Sequence, residues 1–408
     1  MTGEKNRRGS REIHKEAEEK MADQFRSPLI RYLREHDFRI SSGETTIVLA
    51  AQFGFCYGVD RAVEYAFAAC QRFPDRRLWI TGEIIHNPRV NHRLKEMGIR
   101  FLPPRGDCLE DRFRVLHKED VVLIPAFGAD ADEMAYLLDN GFELVDTTCG
   151  SVLNVWKRVR QYAREGFTSI IHGKHDHEET AATCSQVLSA SRDGKYLVLR
   201  DLDEAVALAE MIESRDFSRF HSRFAGVTSG SFQPDRDLSR IGLANQTTML
   251  ESESRRIQEI LREAMTQRHG SKSLADHFRA FDTICSATED RQRAVMEMIA
   301  EGVDRVIVIG GFNSSNTGHL VEIAGRTCPA YHIESVECIL DRERIRAKPL
   351  GQEPRVLCGW LPDGPQVVGV TGGASTPDSV VGRVIERIME IRGMEVPAPH
   401  APPATPAP

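Results

Sequence analysis

The sequence lacks the features that would place the protein in a membrane, in the secretory route or on nucleic acid. No apolar run approaches the ~20 residues that a membrane-spanning helix requires. Basic residues number 53 against 60 acidic ones, so the net charge of −7 gives no electrostatic reason to expect nucleic acid or an anionic membrane as partner. No apolar signal segment opens the chain, and its early Glu residues are atypical of a transit peptide. These absences predict a cytoplasmic protein.

Compact cofactor motifs are also absent. The sequence contains no C-x-x-C pair, no Walker loop and no dinucleotide fingerprint. A ferredoxin-type carrier, a local zinc finger, and sites for ATP or NAD are therefore disfavoured. The nine cysteines are an odd number, scattered from Cys56 to Cys358, which indicates reduced thiols and not a disulfide framework.

The length of 408 residues predicts two or three domains, at about 150 residues per domain. Short β-branched runs alternate with amphipathic stretches, which predicts an α/β fold with mostly parallel sheets. Ligands in such sheets bind where a strand turns into the following helix. Residues 1–44 form a polar N-terminal extension, and residues 393–408 form a Pro/Ala-rich tail that we expect to be flexible.

Three cysteines share one local plan, because each is predicted at a turn between a strand and a helix. They are Cys56, Cys149 and Cys285. A helix start favours a thiolate, and three thiolates could hold zinc or an iron–sulfur cluster with one iron left open. The alternative is that each is a small buried residue at a tight junction. The remaining six lack this plan and are interpreted as packing residues: Cys70, Cys108, Cys184, Cys328, Cys338 and Cys358.

Two glycine-rich turns suit an anion. The first, GGFNSSNTGHL, places Asn313, Ser314, Ser315 and Asn316 at a helix start, and the second, GVTGGASTPD, includes Ser375. Hydroxyls, side-chain amides and free backbone N–H groups at such a position favour phosphate. Ordinary Gly/Ser turns that cap their helices are the alternative.

Histidines and polar residues mark further strand ends. The segment IIHGKHDHEET carries His172, His175 and His177 ahead of Glu178 and Glu179. An imidazole can hold a diphosphate while a neighbouring carboxyl supplies a proton, although a metal site has the same ligand types.

Two more strand ends carry candidate groups. GEIIHNPRVN leaves His86 at one of them, and ANQTTM ends another strand on Gln246, Thr247 and Thr248. We expect solvent or ligand at the latter position, with helix capping as the alternative.

Eight ordered motifs between about residues 45 and 392 resemble the 4-hydroxy-3-methylbut-2-enyl diphosphate reductase (IspH/LytB) family, in its cyanobacterial and plant-like branch. The motifs are FGFCYGVDRAVE, GEIIHNPRVN, VDTTCG, IIHGKHDHEET, ANQTTM, ICSATEDRQ, GGFNSSNTGHL and GVTGGASTPD. The resemblance implies a three-lobed trefoil of small parallel-sheet α/β domains around a central iron–sulfur cluster. The corresponding lobes are 45–57 plus 282–392, 58–149 and 150–281.

The resemblance also assigns roles to single residues. Cys56, Cys149 and Cys285 match the ligands of one 4Fe-4S cluster per chain, and Glu179 matches the proton donor, with Thr247 as a relay. The substrate-binding positions match His86, His177, Thr247, Ser314, Ser315, Asn316 and Ser375.

The implied reaction is the reductive dehydroxylation of 4-hydroxy-3-methylbut-2-enyl diphosphate to isopentenyl and dimethylallyl diphosphate, the last step of the methylerythritol phosphate pathway. Because no flavin or NAD site is visible, ferredoxin or flavodoxin is the implied electron donor. It could dock on Lys157, Arg158 and Arg160, although a solvated helix face is the simpler interpretation of that run. A non-redox iron–sulfur hydratase and an iron–sulfur sensor are the rival functions.

Two positions depart from the family pattern. Phe127 stands where many bacterial members have a diphosphate-binding His, which removes one anion ligand. Gly150 follows Cys149 where most members have Pro. Since proline at the first helical turn preorganises the backbone, glycine is expected to loosen the support of this cysteine.

Overall fold

The computed structural model describes residues 2–106, 108–281 and 283–397. Residues 398–408 of the predicted C-terminal tail lie outside this range. The helices are α1 (Thr2–Phe25), α2 (Pro28–Glu35), α3 (Tyr57–Arg72), α4 (Pro88–Glu96), α5 (Leu109–Phe113), α6 (Ala131–Asp139), α7 (Gly150–Arg164), α8 (Glu178–Ala190), α9 (Leu202–Ser214), α10 (Phe220–Arg223), α11 (Pro234–Asp237), α12 (Glu251–His269), α13 (Leu274–His277), α14 (Ser286–Ala300), α15 (Ser315–Gly325) and α16 (Asp378–Ile391).

Strands alternate with these helices along most of the chain. They are β1 (Arg39–Ser42), β2 (Thr45–Leu49), β3 (Leu78–Ile80), β4 (Arg100–Phe101), β5 (Val121–Ile124), β6 (Glu143–Asp146), β7 (Thr168–His172), β8 (Tyr196–Leu199), β9 (Ile241–Asn245), β10 (Phe278–Ala280), β11 (Arg305–Ile309), β12 (Ala330–Ile333), β13 (Arg344–Ala347), β14 (Arg355–Cys358) and β15 (Gln366–Gly372).

The chain divides into two compact units. Unit 1 comprises Met1–Asp60, His86–Arg89 and Asp290–Pro408, and unit 2 comprises Arg61–Ile85 and Val90–Glu289. The predicted lobe boundaries at residues 57, 149 and 281 stay a prediction. Within the part of the chain that the structure describes, none of the helices has the length and hydrophobicity needed to cross a bilayer.

Unit 1 is built on a five-stranded sheet in the order β1-β2-β15-β11-β12, parallel except for the β1–β2 pair. All five residues of β11, RVIVI, are buried, as expected of a strand that is covered on both faces. Ile309 of β11 pairs with Gly372 of β15, so the two following turns leave the sheet at the same edge. These are the two turns that were predicted to bind an anion.

Unit 2 contains two parallel four-stranded sheets, β4-β3-β5-β6 and β10-β9-β7-β8. In the second sheet, β7 and β9 are adjacent, and His172 pairs with Asn245 at their ends. Residues 173–179 and 246–248 therefore begin side by side. The parallel sheets and their interleaved helices confirm the α/β class predicted from the sequence.

The polar extension predicted for residues 1–44 is partly built into unit 1. Leu29, Ile30 and Leu33 of α2 are buried in the main core of this unit, and β1 pairs with β2. The spacing of these three apolar residues places them on one helical face, which explains why a mostly polar segment still packs.

Candidate active site

A buried acid lies at the carboxyl end of β7 and β9. Glu179 is only 1% exposed, at the start of α8. The Thr247 backbone N–H donates to its Oε1 atom at 2.6 Å, and the Thr247 hydroxyl lies 3.0 Å from Oε2. Both carboxyl oxygens are therefore held by a single residue of the neighbouring strand end. The pairing of β7 with β9 is what brings two residues 68 positions apart into contact.

His177 is the residue that caps α8. Its Nδ1 atom accepts the Glu179 backbone N–H at 3.1 Å, so the neutral ring carries its proton on Nε2. The ring of Phe127 meets the imidazole edge-on, with the centroids 5.8 Å apart and an interplanar angle of 84°. The imidazole is thus fixed in orientation by a hydrogen bond on one atom and by an aromatic contact.

Gln246, at the end of β9, hydrogen-bonds to residues on both sides of Glu179. Its Oε1 atom accepts the Lys174 backbone N–H at 3.0 Å and lies 3.2 Å from the Thr180 hydroxyl. Its Nε2 group donates to the Thr248 hydroxyl at 2.8 Å. Gln246 is 1% exposed, so its side chain is a buried hydrogen-bonding hub and does not face solvent, whereas a ligand at this strand end stays a prediction.

The other two histidines of this segment have separate partners. His172 lies 2.8 Å from the Ser254 hydroxyl, and His175 lies 3.2 Å from the Glu204 carboxylate. Among the described residues, no group of three or more His, Cys, Asp or Glu side chains is arranged to hold a metal ion. The metal site left open by the sequence pattern is therefore not formed by this histidine cluster.

The two predicted anion-binding turns come together in unit 1. The Ser375 hydroxyl donates to the His86 carbonyl at 3.0 Å, and Asn316 Oδ1 accepts the Ala374 backbone N–H at 2.9 Å. Asn313 Nδ2 lies 3.4 Å from His86 Nδ1. The structure therefore gathers these residues around the first turn of α15.

Two buried donors at this turn are left without a hydrogen-bond partner among the described residues. They are the Ser315 hydroxyl and the Asn316 Nδ2 group, on side chains of residues that are 1% and 3% exposed. Burying a polar group without a partner costs free energy, so two adjacent donors of this kind are suited to accept a bound ligand or ordered water as partner. Together with the free N–H groups at the start of α15, they suit an anionic oxygen.

Close backbone approach explains a glycine of the first turn. A Cβ atom on Gly311 would lie 2.6 Å from the His86 carbonyl oxygen, so any other residue would push His86 away from Ser375. Ser314 then caps α15, since its hydroxyl accepts the Thr317 backbone N–H at 3.3 Å. Ser314 therefore has the capping role that was the alternative to ligand binding.

The three cysteines of the shared plan do precede helices. Cys56 lies directly before α3, Cys149 is the N-cap of α7, and Cys285 lies directly before α14. All three are of intermediate exposure, and none forms a disulfide bond with another described residue. This confirms their predicted local position.

Two of these sulfurs have hydrogen-bonding neighbours. The Val59 backbone N–H donates to the Cys56 sulfur at 3.5 Å, and the Thr288 hydroxyl lies 3.0 Å from the sulfur of Cys285. Cysteine thiolates are the usual protein ligands of iron–sulfur clusters, so the residue type fits the predicted role of these three positions. Cys56 belongs to unit 1 and the other two to unit 2, so the cluster itself stays a prediction.

A sequence model of the LytB protein family matches residues 47–389. The chain belongs to the LytB family. It is 47% identical to the 4-hydroxy-3-methylbut-2-enyl diphosphate reductase of Microcystis aeruginosa (strain NIES-843 / IAM M-2473) over 379 residues, which covers 92% of each chain. The reductase of the same name from Synechococcus sp. (strain ATCC 27144 / PCC 6301 / SAUG 1402/1) is 47% identical over 371 residues, 90% of this chain and 91% of the relative.

A solved structure shares the fold. The E-1-hydroxy-2-methyl-but-2-enyl-4-diphosphate reductase from Plasmodium falciparum superposes with a TM-score of 0.60 at 19% identity, covering 84% of this chain and 87% of that one. These comparisons confirm the family, its cyanobacterial relatives and the reductase function that the eight motifs predicted.

Phe127 and Gly150, the departures from the LytB pattern, lie close to the first turn of α7. The Cys149 backbone N–H donates to the Ala126 carbonyl at 3.0 Å. Gly128 has a positive φ of 82°, and a Cβ atom there would lie 2.3 Å from the Trp156 ring. The turn at residues 126–128 therefore contacts both Cys149 and Trp156, and the loosening expected from Gly150 stays a prediction.

Two LytB cysteines outside the shared plan are not packing residues, contrary to the prediction. Cys108 and Cys358 are exposed, whereas Cys184 and Cys338 are buried, and Cys70 and Cys328 are intermediate. Cys108 precedes the short helix α5 at the surface and lies 3.1 Å from the Glu110 carboxylate. Cys358 ends β14, whose side chains are mostly exposed in a two-stranded sheet.

Arg291 is a functional candidate that the sequence reasoning missed. This arginine is 5% exposed, and its Nε and Nη2 groups donate to the Gly54 carbonyl at 3.2 and 2.7 Å. It thereby anchors the loop that leads into Cys56. The sequence feature that could have indicated it is a charged residue on the side of α14 that faces the protein interior, in the motif ICSATEDRQ.

Proposed function

We propose that this LytB protein catalyses the reductive dehydroxylation of 4-hydroxy-3-methylbut-2-enyl diphosphate to isopentenyl and dimethylallyl diphosphate, which ends the methylerythritol phosphate pathway. The C–O bond of the 4-hydroxyl breaks and a C–H bond forms. Two electrons and two protons are consumed, and the hydroxyl leaves as water. The observation that carries the proposal is the buried Glu179–Thr247 pair in a chain 47% identical to curated reductases of this substrate.

The diphosphate binds at the start of α15 in unit 1. The Ser315 hydroxyl and the Asn316 amide donate to its oxygens, since both groups are buried and lack partners among the described residues. His86, Ser314 and Ser375 frame the same turn. Charge-assisted hydrogen bonds of this kind are stronger than neutral ones, which favours a charged ligand over a neutral one.

His177 and Thr247 complete the set of substrate-binding residues in unit 2. With its Nδ1 atom occupied by the Glu179 backbone N–H, His177 offers its Nε2 proton as a donor. Thr247 holds the Glu179 carboxyl in one orientation through both of its oxygens. Each side chain is buried, so neither has to be ordered when substrate arrives.

Glu179 is the proton donor in this proposal. In its acid form it protonates the departing hydroxyl, with the Thr247 hydroxyl as the relay between them. Burial keeps bulk water away from the carboxyl, which favours transfer to the substrate oxygen over exchange with solvent.

One 4Fe-4S cluster per chain is the proposed cofactor, held by Cys56, Cys149 and Cys285. When bound, it supplies single electrons and a Lewis-acidic iron. Ferredoxin or flavodoxin is the proposed electron donor. A reducing compartment, the cytoplasm, is the proposed location, because the ligands must be reduced thiols.

An anaerobic preparation tests the proposal. Protein purified without oxygen should contain close to four iron atoms per chain, the content of one 4Fe-4S cluster, and Cys285→Ser should lose iron. With dithionite and a viologen mediator, the protein should convert the diphosphate substrate to both products.

Two results would contradict it. Retention of a full cluster in Cys285→Ser would refute the ligand assignment. Equal turnover with and without dithionite would identify the rival hydratase.

A further inference from the structure

Helix α7 carries four basic residues and no acidic one. They are Lys157, Arg158, Arg160 and Arg164, and we call them the basic face of α7. The whole chain has a net charge of −7, so this concentration of positive charge runs against the overall balance. Lys157 and Arg164 are exposed, and the exposed Leu153 lies one turn before Lys157 on the same side of the helix.

The spacing of these charges costs helix stability. Lys157, Arg160 and Arg164 follow one another at i, i+3 and i+7, where like charges repel across each turn. Lys157, Arg158 and Arg164 form no ion pair with any residue that the structure describes. The helix dipole accounts for Arg164 in the last turn, but not for Lys157 in the middle of the helix. Arg160 contributes to packing through its hydrogen bond to Gln186, so the charges without such a folding role are those of Lys157 and, in part, Arg158.

An exposed aromatic ring extends the basic face. The guanidinium of Arg158 lies 3.9 Å from the centroid of the Phe281 ring, and Phe281 is 37% exposed. Arg279 adds a further cation beside it, and its carboxylate partner is Glu165, directly after α7. Arginine with an exposed aromatic ring is the composition enriched at protein–protein contacts.

One end of this surface lies toward two proposed cluster ligands, and Arg164 marks the other end, about 22 Å from Cys149 along the helix. Cys149 caps α7, and Lys157 lies eight residues along the helix, about 12 Å at 1.5 Å per residue. Phe281 lies four residues before Cys285 in the chain. A protein bound over Lys157 and Phe281 would therefore lie on the part of the surface nearest in sequence to two of the three proposed ligands.

We propose that the basic face of α7, with Phe281, is the docking surface for a small acidic protein that carries one electron at a time. The inference rests on the proposed reductase function, which needs two electrons from outside the chain. Each carrier molecule is oxidised by one electron, so two dock and leave for each substrate reduced. Opposite charge on the carrier steers its approach and raises the rate of association.

Charge reversal on the basic face tests the docking surface. The test variant is Lys157→Glu/Arg158→Glu, in the anaerobic, cluster-loaded protein with reduced plant-type ferredoxin of net negative charge as donor. The matched control is Arg255→Glu/Arg256→Glu, which reverses two adjacent exposed charges on α12. Helix α12 packs on the opposite face of the same sheet, since its core cluster includes Leu243 whereas that of α7 includes Ala244.

The test variant should raise the KM for ferredoxin by about tenfold or more and flatten its dependence on salt concentration. The rate with dithionite and viologen should equal that of the unaltered protein in all variants. An unchanged KM for ferredoxin in the test variant, or an equal rise of this KM in the control variant, would overturn the docking surface. A short duplex DNA that binds this face at 0.15 M salt and is released by the charge reversal would also overturn it.

The two proposals fail differently in this experiment. If the unaltered protein forms no product even with dithionite, the reductase function itself is refuted. If dithionite supports turnover and the charge reversal leaves ferredoxin kinetics unchanged, only the docking surface is refuted.

Discussion

Thr247 occupies both oxygens of the Glu179 carboxyl group, through its backbone N–H at 2.6 Å and its hydroxyl at 3.0 Å. The same residue accepts the Cys285 backbone N–H on its carbonyl at 3.4 Å. Thr247 thus links the candidate acid to a candidate cluster ligand within unit 2. A shift of this one strand end would displace both groups together.

Replacing Glu179 by glutamine should abolish most of the turnover and leave substrate affinity nearly unchanged. A glutamine amide can accept the Thr247 N–H on its oxygen and donate to the Thr247 hydroxyl, so the geometry survives while the acidic proton is lost. General acid catalysis contributes about 10²- to 10⁴-fold, which sets the expected fall in kcat. The exposed neighbour gives the control, Glu178→Gln, for which kcat should stay normal. Near-normal kcat in Glu179→Gln would exclude it as donor.

Ser315→Ala should weaken substrate binding without weakening the fold. Its hydroxyl lacks a partner among the described residues, so removal relieves a desolvation cost and the free energy of unfolding should stay equal or rise. The KM should rise about 10- to 150-fold, the equivalent of about 1.5–3 kcal/mol for a hydrogen bond to a charged group. Thr371→Val removes another buried hydroxyl that has no hydrogen-bond partner within the described part of the chain, and it should leave the KM unchanged. If Ser315→Ala lost stability and substrate affinity together, the role of the Ser315 hydroxyl as a diphosphate donor would be contradicted.

Gln246→Leu should destabilise unit 2. The variant leaves the Lys174 N–H and the Thr180 and Thr248 hydroxyls without their present partner. One buried unsatisfied group costs about 1–3 kcal/mol, so urea denaturation should show a loss of at least that size. Gln161→Leu, which removes a half-buried contact to Glu165, should change stability by less than about 0.5 kcal/mol. Equal stability of the two variants would argue against Gln246 as a hub.

Cysteine alkylation should separate surface thiols from core thiols. Burial raises the pKa of Cys184 to about 12, so its thiolate fraction at pH 8 is about one in ten thousand. Cys108 and Cys358 are exposed. Brief iodoacetamide treatment of native protein at pH 8, followed by peptide mass mapping, should label these two and spare Cys184. Urea should expose Cys184 to the reagent, and native labelling of it would contradict its burial.

The stability of unit 2 should fall as the pH drops from about 6.5 to about 4. Burial lowers the pKa of His269 to about 4, and His277, Arg268 and Arg215 add repulsion. The unfolded chain therefore takes up this proton first, which favours unfolding as the pH falls through that window. His269→Gln should flatten this pH dependence in urea titrations, whereas His92→Gln, an exposed histidine on α4, should not. If the free energy of unfolding of His269→Gln kept the same pH dependence, proton uptake by His269 would not be its cause.

Local sequence patterns were enough to predict the helix starts that follow the three cysteines and the two glycine-rich turns. Each of these depends on neighbours within a few residues, such as Ser314, which caps its own helix. The family motifs then assigned roles that no spacing could supply, for example that of Glu179.

Long-range pairing limited what the sequence could reveal. The Glu179–Thr247 contact depends on β7 lying beside β9, and the buried contacts of Gln246 depend on the same pairing. Arg291 was missed because an arginine on a helix is usually solvated, and its partner Gly54 lies 237 positions away. Cys108 and Cys358 were misjudged because burial of a free cysteine is a statistical tendency, which surface loops and short edge strands escape.

The strand order of unit 1 has a consequence for synthesis on the ribosome. β2 is complete at Leu49, but its parallel partner β15 begins at Gln366. At about 5–20 residues per second, the ribosome needs roughly 15–60 s to produce the intervening chain. During that time β2 has only the short edge strand β1 to cover its hydrogen-bonding groups, although four of its five side chains are buried in the finished fold. Nascent chains of this protein should therefore depend on chaperones that shield an unpaired apolar strand until roughly the last tenth of the polypeptide is made.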